Sequence, residues 1–488
     1  MGINLLSTQQ ISQLSSTVIQ GLTVTDIQSL SAAQVGAINT SGIAILDSTQ
    51  VGALSTTQIK GLTAVQIPQF NSSLVFSTTQ LAVLSGQQFA AFTTTQLGAL
   101  DTTHVQSITP ADIGALSATN FSSLDTTHIH ALSSTQVGGI SAGEIKGLST
   151  TDLGEFTDTQ LQGLTAAQLG SLTATNLNSL DTTVISGLTK TQIGGLTTAQ
   201  LGGVNSTTLG RFTATQIGQL STAQLGAVST TNLNALDTTH IGGITQTQIG
   251  ALSAASLSAF SSTQVHNFNQ TQIGGLTANQ LKGLTTTDFA KFTDTQIGEL
   301  NKTQIGALSA ANLSALDTTV ITGLTSTQIS GITTAQLAGI TSTAFGNFTS
   351  TQIGQFSAAQ IGALSTTNFS SLDTTHIHAL SSTQVGGISA GEIKGLSTTD
   401  FGEFTNTQIG QLSKVQVGSL STTVIGNFNQ TQVQQLNATQ ISGLTSAQIG
   451  QLSTTEIGWM SSTQANGFTA AQVQGMTAAQ VAAYLAVT

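Results

Sequence analysis

Cysteine is absent from this 488-residue chain, and proline, tryptophan and tyrosine nearly so, at two, one and one. No disulfide can staple the fold, so packing and hydrogen bonds must hold it. The missing thiols suit an extracellular chain and a cytosolic one alike. Charge is scarce as well: nine Lys and Arg and 20 Asp and Glu make 6% of the residues, where a soluble domain carries roughly a quarter. The net charge of −11 is small for the length. Nine basic residues scattered singly cannot form the stripe that a nucleic-acid backbone requires, so no nucleic-acid partner is expected. No apolar run approaches the roughly 18 residues of a membrane helix, so no membrane insertion is expected. Met1-Gly2-Ile3-Asn4-Leu5-Leu6 lacks the regions of a signal peptide, which leaves the export route open.

What the chain has instead is one phrase repeated. From Ser7 it divides into octads that run unbroken to Phe70; Asn71–Phe76 is two residues short; octads resume at Ser77 and run to Tyr484. That gives 8 octads before the break and 51 after it. The expected divisions are a lead-in at 1–6, repeats at 7–70, a short irregular unit at 71–76, repeats at 77–484 and a tail at 485–488. Length alone suggests about three globular domains, but self-similarity at a fixed short period indicates a repeat architecture instead.

The consensus is Ser/Thr/Asn/Asp at position 1, Gln at position 4, and large apolar residues at positions 5 and 8, as in Thr213-Ala214-Thr215-Gln216-Ile217-Gly218-Gln219-Leu220. Hydroxyl and glutamine at this spacing form a capping box, and position 8 of one octad with position 5 of the next forms a hydrophobic staple. Each octad therefore reads as a helix of one to one and a half turns. Glycine at position 6 or 7 reads as a stop that enters the left-handed region. Charge sorting agrees. Seven acids stand at position 1 and eight at position 4, while six of the nine basic residues stand at positions 6 or 7. Acids at helix starts and bases at helix ends are what the helix dipole favours.

Two other conformations compete. In a continuous helix the apolar stripe would rotate about 80° per octad, and no seam could form. In a β-solenoid positions 5 and 8 would point to opposite faces, though the Thr, Ile and Val content suits strands. The fold expected is an all-α solenoid of very short helical turns, one per octad, with a β-solenoid as the alternative. Isolated helices this short do not survive, so stacked coils must bury positions 5 and 8 together. Asp at position 1 recurs at 125, 181, 237, 317 and 373, in steps of seven or ten octads, which suits a coil of roughly 3.4 octads. Pro68 and the unit 71–76 are expected to kink or re-phase the stack.

Asp-Thr-Thr-His occurs four times, and two copies continue as His128-Ile129-His130 and His376-Ile377-His378. Asp125, His128, His130, Asp373, His376 and His378 are therefore candidate metal ligands. The expected reading is a capping Asp with His in place of Gln, so no metal, cofactor or catalytic residue is assigned. No Gly-x-Ser-x-Gly elbow or phosphate loop appears, and the chain is not expected to be an enzyme.

Leu-Thr-Thr-Ala-Gln-Leu at 196–201 resembles runs in very long, repetitive bacterial surface-exposed or secreted proteins. The resemblance covers nearly the whole chain and implies an extracellular adhesin, fibre or matrix component. The function expected is a structural repeat protein forming an extracellular rod, filament or sheath, with itself as partner through lateral and end contacts. A surface adhesin binding carbohydrate, including cell-surface glycans, or a solid surface is the alternative; an ice-binding protein is a second.

Overall fold

The computed structural model describes residues 2–73 and 76–488. Met1 of the lead-in and Leu74 and Val75 of the short unit lie outside them. Among the described residues there are 58 α-helices and no strand, so the protein is an all-α solenoid and the β alternative is excluded. Every α-helix has four to six residues except Ala478–Val487, which has ten.

The sequence makes these turns one octad at a time. In Ala214–Gln219, Thr213 is the N-cap with extended backbone; its side chain accepts from the Gln216 N–H, and the Gln216 side chain accepts from the Thr213 N–H. Such a cap is worth about 1 kcal/mol, and the same box recurs in most octads. At the other end, the Leu220 N–H donates to the Ile217 carbonyl at 3.2 Å. Leu220 itself is extended, at φ −59° and ψ 139°. Two successive extended residues, positions 8 and 1, thus form each corner.

This geometry corrects the reading of glycine. No residue, glycine included, has positive φ among those described. The corner does not need the left-handed region, and glycine answers a different demand. A Cβ on Gly170 would lie 2.5 Å from the Gly195 carbonyl oxygen, and one on Gly195 would lie 2.4 Å from that of Ala166. Gly306 with Gly331 and Lys302, and Gly362 with Gly387 and Ala358, repeat the pattern. Successive coils touch backbone to backbone there, and only glycine leaves room. Such position-6 glycines stand at Gly36, Gly114, Gly170, Gly250, Gly306, Gly362 and Gly418, again in steps of seven or ten octads when the short unit counts as one.

The chain divides into two compact units, Met1–Ile244 and Thr245–Thr488. In the first, Ala214–Gln219 packs against Thr238–Gly243, three octads on; in the second, Gln246–Ala251 packs against Gln270–Gly275, again three octads on. Side-chain hydrogen bonds reach four octads back (below). A coil therefore contains between three and four octads in each unit. Positions 5 and 8 fill the core: Ile217, Leu220, Ile305 and Leu308 are all at most 3% exposed.

The short unit does not re-phase the stack. Gln80 donates to the carbonyls of Val51 and Leu54 at 2.9 Å each, so this six-residue unit still counts as one octad. Asn71 closes the tighter corner by accepting from the Ser73 N–H and hydroxyl, each at 3.0 Å. Phe76 fills position 8, with ring centroids 5.0 Å from Phe70 and 5.9 Å from Phe92. Pro68 falls in a 3-10 turn, Ile67–Gln69, where its missing N–H costs no ladder bond.

Candidate functional site

Position 4 carries most of the polar chemistry of the interior. In Gln304 the carbonyl oxygen accepts from the Asn301 N–H at 2.8 Å. Its amide nitrogen donates to Ile273 at 2.8 Å and to Leu276 at 2.9 Å, the carbonyls at positions 5 and 8 four octads earlier. Gln304 is 3% exposed. One amide thereby closes the start of its own helix and the end of a helix in the preceding coil. Sequence reasoning assigned Gln only the first task. Carbonyls at the ends of short helices must find donors somewhere, and that requirement pointed to the second.

At several octads where position 4 is not Gln, the same carbonyl is met by other means. Asn312 donates to Leu284 at 3.1 Å. Thr208 is too short, and Arg211 at position 7 donates to the carbonyl of Leu180 instead. Asp288 is an acid, and Lys291 supplies the donors, to Phe260 at 3.0 Å and Ser258 at 2.8 Å, while pairing with Asp288 at 2.9 Å. These two bases therefore bridge coils, beyond the dipole role that their position suggested. Glu392 is 1% exposed; one oxygen accepts from the Ser389 N–H and the other has no partner. Burial raises its carboxyl from 4.5 to about 7. Glu144, in the equivalent octad, is shifted up by burial in the same direction.

The Asp-Thr-Thr-His corners follow this logic. His128 is buried; one ring nitrogen lies 2.6 Å from an Asp125 carboxylate oxygen and the other 2.8 Å from the Leu100 carbonyl. His240 does the same with Asp237 at 2.6 Å and Phe212 at 2.7 Å. His376 lies 2.7 Å from Asp373 and 3.2 Å from the Phe348 carbonyl. The backbone N–H of the following His holds each of the Asp125, Asp237 and Asp373 carboxyls below the ordinary range. A metal on His128 or His376 would have to displace one of these contacts. His130 and His378, two residues on, are exposed. Among the described residues, no group of three or more His, Cys, Asp or Glu is placed to hold a metal ion. Asp125 and His128 are thus brought together, as are Asp373 and His376, each pair as a corner.

No family model matches the chain, and no curated protein matches it. Among solved structures, one match is titled "Structure of APUM23-GGAAUUGACGG", with 10% identity over 93% of this chain and 91% of that one, at a TM-score of 0.14. A likeness of that size carries no argument about this fold or its chemistry. The one finding set against the expected absence of a nucleic-acid partner is the nucleotide string in that title, and the exclusion is not carried further. Among the described residues no helix is long and apolar enough to cross a membrane.

Proposed function

We propose that this is a non-enzymatic structural repeat protein, an extended element of an extracellular rod, filament or sheath. The observation that carries this reading is the amide ladder. Gln136, Gln168 and Gln200 each tie a coil to the one before it through two carbonyls, and the same tie recurs along both units. This chemistry builds length by adding copies of one unit. The amides of position 4 are spent inside the stack and the polar groups of position 1 on capping, while positions 2, 3, 6 and 7 present mostly small neutral side chains. Such a surface resists close packing only weakly, as a filament or sheath component requires. The resemblance to repetitive bacterial surface and secreted proteins points the same way and supports a location outside the cell.

Negative-stain electron microscopy of the purified full chain tests this reading. Elongated particles or filaments are expected; uniformly compact, globular particles would overturn it.

A further inference from the structure

Several octads carry no amide at position 4, and two of them share a further feature. Val184 and Val320 stand at position 4, in octads that begin with Asp181 and Asp317. By the register of the neighbouring glutamines, they should serve the carbonyls of Phe156 and Phe292. Neither carbonyl accepts a hydrogen bond, although Phe156 is 6% and Phe292 8% exposed. Position 7, from which Arg211 and Lys291 serve the same carbonyl in their own octads, is Gly187 and Gly323 here.

Each gap is a cleft. The first, of about 200 Å³, is lined by Leu153, Phe156, Asp158, Leu161, Asp181 and Val184. The second, of about 150 Å³, is lined by Phe289, Phe292, Asp294, Ile297, Asp317 and Val320. Position for position they match, one within each unit. Asp occurs at octad position 2 only at Asp158 and Asp294, and Asp-Thr-Thr-Val occurs only at 181–184 and 317–320. The two features stand three octads apart both times, although many residues between them differ. Asp181 and Asp317 each use one oxygen on the N–H of the following Val, at 2.9 and 2.8 Å, and their second oxygens remain. Asp158 and Asp294 are not buried.

We propose that these clefts are twin binding sites for a protonated primary amine on a short apolar stem. The stem lies on the Leu, Phe and Val floor; the ammonium meets the idle carbonyl and the two carboxylates at the rim. An ammonium offers only donors, which is what one carbonyl and two carboxylates require. Lys291 shows the chemistry within this same chain: its ammonium sits on the carbonyls of Ser258 and Phe260 beside the Asp288 carboxylate. The selectivity expected is for charge over shape, because a neutral alcohol of equal length has one donor and leaves the carboxylates unmatched.

The test is a titration of the full chain, methyl-labelled at Leu, Val and Ile, with n-butylammonium chloride and, separately, 1-butanol. Butylammonium is expected to give saturable shifts at the methyls of Leu161 and Leu180 and of Ile297 and Leu316. Butanol is expected to bind about tenfold more weakly, the scale of one matched charge contact. Val184→Gln with Val320→Gln restores the ladder's own amide and is expected to abolish both titrations in a protein at least as stable. Asp158→Asn with Asp294→Asn alters side chains that are not buried and is expected to weaken binding without unfolding. The proposal is overturned by equal affinity for alcohol and ammonium, by unchanged binding in the valine-to-glutamine chain, or by no saturable shift at these methyls.

Discussion

Glu392 sits at position 4, which the consensus gives to glutamine, with one carboxyl oxygen buried and unpartnered. That oxygen occupies the place from which an amide would donate to the preceding coil, so the carboxyl does best there when it keeps its proton. Its value of about 7 lies above the 4.5 of the free group, and the folded state therefore holds the proton more tightly. The linkage sign follows: this site favours folding most below about 4.5, and the advantage declines as pH rises and is gone above about 7. Glu392→Gln supplies a donor that does not titrate. Denaturant unfolding at pH 8 should show the variant more stable by roughly 1–3 kcal/mol, the cost of an unmet buried polar group, with the difference shrinking at pH 4.5. A variant less stable than the parent at pH 8 contradicts the register. Glycine divides along similar lines. A Cβ at Gly331 would stand 2.4 Å from the Lys302 carbonyl oxygen, whereas one at Gly298 would meet nothing within 4 Å. Gly331→Ala should destabilise by about 1–3 kcal/mol through overpacking. Gly298→Ala should stabilise by roughly 0.5–1 kcal/mol, because it restrains only the unfolded chain. Equal effects at the two sites would mean that coils do not approach there.

At the scale of the element, a helix of four to six residues has almost no interior, and its two ends decide its existence. The sequence made the first end legible. Hydroxyl, Gln and the apolar pair at fixed spacing specified the cap, the staple and the core positions, and those placements hold from octad to octad. The second end was not legible, because it is closed by a residue roughly 28 positions later (Gln304 to Leu276 is one such span), and nothing local announces that partner. The same gap explains why glycine was assigned to the corner and why Arg211 and Lys291 were assigned to the dipole alone. The Asp-His corners were half legible: their local pairing follows from spacing, whereas the carbonyl beyond His128 does not. This division of labour makes a direct prediction. Gln304→Ala should cost about 2–4 kcal/mol, because one change removes a cap and orphans two buried carbonyls. Thr303→Ala, one residue away on the surface, should stay within about 0.5 kcal/mol of the parent. Arg211→Met should also be destabilising, since it leaves the Leu180 carbonyl unmet. Thr208→Gln in that background should restore most of the loss by returning the ladder's usual donor. Failure of that rescue would show that Arg211 acts through something other than the carbonyl.

Across the whole molecule, stability is assembled from short loops of chain. Among the described residues, side-chain bonds between coils span short stretches of chain, as from Lys291 to Ser258 and from Arg211 to Asn178, each 33 residues apart. Low separation of contacts favours rapid folding, and a stack in which each coil touches only its neighbours behaves as a one-dimensional array. The break at 71–76 shows how tolerant such an array is, since two residues are lost while Gln80, Gln88 and Gln96 still find the carbonyls of the proper coil. A local defect should therefore stay local. In native-state hydrogen exchange on the Gln304→Ala chain, protection should fall for amides within about one coil on either side, roughly residues 270 to 335, through opening of that segment alone. Amides near Gln416 and Gln448, several coils further along the same unit, should keep their parental rates. Uniform loss of protection throughout Thr245–Thr488 would mean that the unit opens as a single cooperative body, and that the coils are coupled more strongly than one buried amide per octad can account for.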